Sequence, residues 1–168
     1  EKRVQNVKDF IRVRDEMAAN GGNFCRVTFQ LTFIEIGLEE LPDVIRLAAS
    51  LGVNRVKGHH LWVFTEEMQK ENLRRSKDSI HRWNTVVEKA LDAAENFRLP
   101  TGEKVILENI YPLDESAAEE LIPDGVCPFL GEEAWVSSEG RFNPCCAPNE
   151  ERLKLGEFGN LYDASIDN

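Results

Sequence analysis

The sequence predicts an α/β fold built on a parallel sheet, followed by a small β-hairpin appendage that bears cysteines. Three observations lead there. Helical and strand patterns alternate as helix, strand, helix, strand, helix, strand through residue 110, the order of parallel strands joined by right-handed crossovers in a βα-barrel or a doubly wound sheet. After Tyr111 the spacing turns irregular, with Pro, Asp and Gly scattered through "YPLDESAAEELIPDGVCPF". Beyond it, "EEAWVSSEGRFNP" reads as two short arms around Ser-Ser-Glu-Gly, a hairpin pattern. Residues 1–110 are therefore expected as one domain and 111–168 as the start of a second, with the boundary in 111–125.

The first helix is expected over 4–19, with Val4, Val7, Phe10, Ile11, Met17 and Ala18 near one side and Asn20-Gly21-Gly22 as its stop. "FCRVTFQLTFIEI" is rich in β-branched and aromatic residues and alternates as a strand. Val27, Phe29, Leu31 and Phe33 fall on one face, Arg26, Thr28, Gln30 and Thr32 on the other, and Cys25 is expected in the core with Val27. "LEELPDVIRLAASLG" is a helix with Leu41, Val44, Ile45, Ala48 and Leu51 inward and Gly52 at its end. "VNRVKGHHLWVF" is the second strand. A helical region over 66–97, broken near Ser76, turns Ile80, Trp83, Val87, Ala90, Leu91 and Ala94 inward, and "EKVILENI" is the third strand.

Composition narrows the function classes. With 42% apolar residues in 168, the chain can bury a core without a disulfide framework. No apolar run reaches the ~18 residues of a membrane span, and "EKRVQNVKDF" is charged rather than a signal peptide, so a cytoplasmic location and no membrane partner are expected. Twenty Lys and Arg against 30 Asp and Glu give a net charge of −10, which disfavours nucleic acid as a partner. The most basic stretch, "NLRRSKDSIHR", reads as one solvated helix face.

In parallel α/β folds ligands meet the carboxyl ends of the strands, here Thr32 to Glu35, Gly58 to Trp62, and Glu108-Asn109. The adjacent histidines of "KGHHLW", His59 and His60, can bind a metal, move protons or hydrogen-bond a nucleotide; equally, one can be buried and the other solvated. Gln30 and Thr32 are expected to face a polar lumen. Glu108 can act as a base or metal ligand, or pair with Lys57 or Arg55, and the structural pairing is the preferred expectation.

Three of the four cysteines crowd into "CPFLGEEAWVSSEGRFNPCC" with the spacing C-x12-G-x4-C. A hairpin brings Cys127 and Cys145 near each other, with Gly140 supplying the positive φ of the turn. Thiolates gathered on loops suit zinc or iron–sulfur clusters. A disulfide is the alternative, less expected without an export signal. Three thiols are one short of the usual four ligands, and no histidine follows Cys146.

That segment, with the following "LGEFGNLYD", resembles the opening of the SPASM or twitch auxiliary-cluster domain of radical S-adenosylmethionine enzymes. "RVTFQLTFIEIGLEELPDVIRLAASLGVNRVKGHH" resembles the later strand–helix–strand units of that superfamily's partial (β/α)6 barrel, and together the resemblance spans nearly all of the chain. It implies an oxidoreductase in which a 4Fe-4S cluster reduces S-adenosyl-L-methionine to a 5′-deoxyadenosyl radical that modifies a small-molecule or peptide substrate, with a reductant protein as a partner. Gln30, Thr32, His59 and His60 would face the nucleoside or substrate. Cys127 and Cys145 would ligate an auxiliary cluster, with Cys146 a further ligand or a neighbour. No C-x3-C-x2-C occurs, and the cysteines that complete an auxiliary cluster are absent after Cys146. With the start at Glu1 and the end on "LYDASIDN", this leads to the expectation of a fragment of a longer enzyme, without turnover of its own. Two other readings stand beside it. One is a metal-dependent sugar isomerase or endonuclease-like barrel using Glu108, His59 and His60; the other is a noncatalytic zinc-binding interaction module.

Overall fold

The computed structural model describes residues 2–63, 65–117, 134–145 and 149–163. The chain divides into two compact units, Glu1–Leu121 and Ile122–Asn168. The first is mixed α/β in the order α1 (Lys2–Ala19), β1 (Thr28–Phe33), a 3-10 turn (Leu38–Glu40), α2 (Leu41–Leu51), β2 (Arg55–His60), α3 (Glu66–Gln69), α4 (Lys77–Asn96) and β3 (Ile106–Glu108). Its three strands form one parallel sheet in the order β1-β2-β3. The register pairs Thr32 with His59, Phe33 with His60, and Lys57 with Glu108.

Helices α2 and α4 pack on each other and cover one face of this sheet, burying Ile45, Val53, Val56, Leu73, Ile80, Trp83 and Val87 completely. Each helix end has a local cause. Gly52 caps α2 at φ +84°, a conformation that penalises side chains with a Cβ. Ser76 opens α4 by accepting the Ser79 amide, which is why the helical region breaks there. Trp83, fully buried, satisfies its indole by donating to the Tyr111 carbonyl at 3.0 Å.

Several inward expectations are corrected. On α1 the buried line is Ile11 and Arg14, flanked by the half-buried Val4, Val7 and Ala18; Phe10 and Met17 are exposed. Arg14 occupies an inward position because its guanidinium reaches the Asn54 side-chain oxygen at 2.9 Å, and Asn54 also accepts the Val27 amide. Leu91 is 45% exposed, since the buried stripe of α4 runs Ile80, Trp83, Val87, Ala90, Ala94 and Leu91 lies one residue, about 100° of helix, beyond Ala90. Cys25 is exposed rather than core, because the strand begins only at Thr28 and the alternation does not reach back to it.

The second unit contains a two-stranded antiparallel hairpin, β4 (Trp135–Val136) and β5 (Phe142–Asn143), and the short helix α5 (Asn149–Lys154). Gly140 sits in the turn at φ +78°, the positive value expected of it. The chain after α5 returns to the hairpin: Leu161 donates to the Gly140 carbonyl and Phe142 to that of Gly159. A Cβ on Gly140 would lie 2.6 Å from both Asn160 Oδ1 and the Tyr162 ring, so the "FGNLY" stretch seals against the hairpin only over a glycine.

Candidate functional site

The β-sheet has two unlike faces, because side chains alternate along each strand. One carries Phe29, Phe33, Val56, Gly58 and His60 against the helices. The other carries Thr28, Gln30 and Thr32 of β1, Arg55, Lys57 and His59 of β2, and Ile106 and Glu108 of β3. Among the described residues no helix covers this second face; Gln30 and His59 are exposed on it. Parallel sheets are normally covered on both faces, so a bare polar face is unusual and marks where a ligand or a further layer belongs.

The side chains of this face hold one another across the strands. His59 Nδ1 lies 3.2 Å from Gln30 Nε2, and its Nε2 lies 3.2 Å from Thr32 Oγ1. A neutral imidazole protonated on Nε2 satisfies both contacts, accepting from the amide and donating to the hydroxyl. Toward the amino ends of β1 and β2, Glu108, the last residue of β3, bridges two cations, with Arg55 Nη1 at 2.7 Å and Lys57 Nζ at 2.6 Å. The hydrogen bond from Lys57, reinforced by the charge of Arg55, holds the Glu108 carboxyl below the usual carboxylate range. Glu108 thus makes both structural pairings foreseen for it. Asn109, next along, takes a left-handed φ of 61°, a conformation asparagine tolerates better than most residues.

His60 does not join this group. It points to the helix side of the sheet, its ring 5.5 Å from Phe33 and 5.0 Å from Trp83, centroid to centroid. The Phe33 ring lies over the backbone of Gly58, where a Cβ would fall 2.0 Å from Cζ. Burial, with the charge of Arg74 and then of His59 adding to it, pushes the His60 imidazole down to about 4, so it is neutral at neutral pH. Both of its ring nitrogens are sealed from solvent and lack a hydrogen-bond partner among the described residues. The structure therefore brings Gln30, Thr32 and His59 together and sets His60 on the opposite face, as a period of two requires of neighbours in a strand.

The basic stretch over 72–82 is more than a solvated face. Glu35, its side chain 9% exposed, is gripped by Arg75 at 3.1 Å and Arg82 at 2.8 Å, and Arg82 also reaches Glu39 at 2.6 Å. These pairs lock the start of α4 to the carboxyl end of β1. Among the cysteines foreseen as metal ligands, Cys145 follows β5 and its amide donates to Asn143 Oδ1 at 2.9 Å. Cys127 and Cys146 lie outside the described residues. Among the described residues no group of three or more His, Cys, Asp and Glu side chains is placed to hold a metal ion.

No family model matches this chain. No curated protein or solved structure is significantly similar to it either. No helix among the described residues is long and apolar enough to cross a membrane. Arg74 belongs to the basic stretch expected as a solvated helix face; it lies instead half-buried in the turn before α4, where its charge acts on His60.

Proposed function

We propose that the chain is part of a radical S-adenosylmethionine oxidoreductase: the later strands of a partial (β/α)6 barrel followed by a segment that contributes to an auxiliary iron–sulfur site. The observation that carries this reading is the one-sided sheet. Three parallel strands in sequential order, with helices on one face and, among the described residues, a hydrogen-bonding face left uncovered, support reading the sheet as part of a barrel wall. Gln30, Thr32 and His59 sit toward the carboxyl ends on that bare face, where a barrel places its ligands.

The residues fit a nucleoside better than a metal ion. Amide, hydroxyl and imidazole groups match sugar hydroxyls and base edges, whereas both ring nitrogens of His59 are already engaged. Gln30 and Thr32 would orient the nucleoside or substrate and keep His59 in one tautomer; the Arg55–Glu108–Lys57 bridge would close the floor below them. S-adenosylmethionine and its cluster, when bound, supply the radical that abstracts hydrogen from the substrate. For the auxiliary cluster the thiol chemistry of Cys145 suits iron, with Cys127 and Cys146 as the partners the resemblance names. The pairing of Glu108 with two cations weighs against the divalent-metal barrel, since a metal would have to displace both.

Anaerobic reconstitution with iron and sulfide tests the reading. The expected result is iron and acid-labile sulfide bound with visible absorption, lost in Cys127→Ala and in Cys145→Ala. A colourless chain that takes up zinc instead, or iron uptake indifferent to both substitutions, refutes the auxiliary-cluster assignment.

A further inference from the structure

The second unit holds a cleft of about 450 Å³ between the hairpin, α5 and the stretch that returns over 156–163. Pockets for small molecules run from roughly 300 to 1,000 Å³, so there is room for one. Its walls are fastened to one another. Besides the bonds from Phe142 to Gly159 and from Leu161 to Gly140, Asn160 Nδ2 donates to the Glu139 carbonyl at 2.9 Å and Asn143 Nδ2 reaches the Arg152 carbonyl at 3.5 Å. Phe142, Leu153 and Phe158 give the cleft apolar surface, and Leu153 and Phe158 remain 55% and 46% exposed there.

The same cleft is lined by two cations, Arg141 and Arg152, and by the carboxylates of Glu139, Glu157 and Asp163. Among the described residues no ion pair joins either arginine to any of the three, and neither guanidinium donates a hydrogen bond. Arg152 is steadied by the Trp135 ring, whose centroid lies 5.7 Å from its guanidinium carbon, a contact that uses no hydrogen bond. Only its Nε is sealed from solvent, so the terminal N–H groups are the donors it offers. Glu139 is committed locally, accepting from the Ser138 hydroxyl at 2.6 Å. Glu157 and Asp163 are left as carboxylates facing two unmatched cations in one cleft without touching them. A simple anion entering there meets the carboxylates, and a simple cation meets the arginines.

We propose that this cleft binds a zwitterion of the amino-acid type bearing an apolar side chain. Arg141 and Arg152 would take the carboxylate through charge-assisted N–H donors, and Glu157 and Asp163 would accept from the ammonium. The side chain would cover the open surface of Phe142, Leu153 and Phe158. The site lies wholly within the second unit, requires no iron and does not depend on the radical-enzyme reading.

Isothermal titration of the full chain with L-phenylalanine tests the proposal, and saturable binding is the expected result. Hydrocinnamate, which lacks the ammonium, and phenethylamine, which lacks the carboxylate, should each bind about ten-fold more weakly or worse, because each forfeits one charged hydrogen-bonding partner. Arg141→Gln should weaken phenylalanine and hydrocinnamate and spare phenethylamine. Glu157→Gln should weaken phenylalanine and phenethylamine and spare hydrocinnamate. That crossed pattern separates loss of a ligand contact from misfolding, which would depress all three. Comparison with the dipeptide phenylalanyl-glycine distinguishes the sources: tighter phenylalanine means a free amino acid, tighter dipeptide a short peptide. Absence of saturable heat with both zwitterions overturns the proposal. So does either truncated analogue binding as tightly as phenylalanine, or affinities indifferent to both substitutions.

Discussion

Replacing His60 by phenylalanine isolates the energetics of the strand end. The substitution keeps a ring between Phe33 and Trp83 and removes two nitrogens that lack partners. The imidazole falls from an ordinary value of 6.5 to about 4 on folding, chiefly by burial. The sign follows from which state takes the proton first. Between about pH 6.5 and about pH 4 the unfolded chain is protonated at His60 and the folded chain is not, so the folded state loses stability as pH falls through that window. Integrated over the shift, the loss is about 3 kcal/mol as an upper value for a half-buried group. Above the window His60 contributes nothing pH-dependent, and His60→Phe should match or exceed the parent, since removing unsatisfied buried polar atoms is neutral or favourable. Urea unfolding from about pH 7.5 to about pH 4.5, read by tryptophan fluorescence, measures the difference between the two proteins. The acid titration of Glu39, Glu108 and the other carboxylates is common to both and cancels. His60→Phe should gain on the parent steadily as pH falls. A difference that stays flat across the window would refute the burial argument, and a large loss at neutral pH would mean that the ring nitrogens do hold a partner.

Three further outcomes follow from the packing. Gly58→Ala drives a methyl into the Phe33 ring and should cost about 1–3 kcal/mol or more in urea unfolding, while Gly102→Ala, with open space at its Cβ, should lose only what its positive φ imposes. Gly140→Ala meets both a left-handed φ and the side chains of Asn160 and Tyr162; it should speed hydrogen exchange at the Leu161 and Phe142 amides, and unchanged protection would argue against the seal. Glu108→Gln leaves Arg55 and Lys57 facing each other without a carboxylate. Because folding lowers its pKa, the stability Glu108 contributes is present above the ordinary value of 4.5 and lost as pH falls below it, so the urea midpoint of Glu108→Gln should lie below the parent at neutral pH and converge with it in acid. A midpoint equal to the parent at neutral pH would make the bridge energetically idle.

Features that depend on near neighbours along the chain were legible in the residues alone. Strand alternation told that Gln30 and Thr32 share a face opposite Phe33, helical spacing told that Ile45, Ala48, Trp83 and Val87 turn inward, and Ser76 and Gly140 marked a helix break and a turn. The same logic overreached at the ends of elements: Cys25 lies before the ladder begins, and Leu91 and Phe10 sit at the margins of their stripes, where neighbours in space decide burial. Only the tertiary structure settled which polar groups meet. Register placed His59 between Gln30 and Thr32, across a separation of 29 and 27 residues, and gave Glu108 two cations rather than one. Folding of the 70–76 turn onto β1 set the charge of Arg74 to act on a histidine that the strand's own periodicity had turned away from its neighbour. Burial and charge are sums over everything within a few ångströms, and most of what surrounds His60 is distant in sequence.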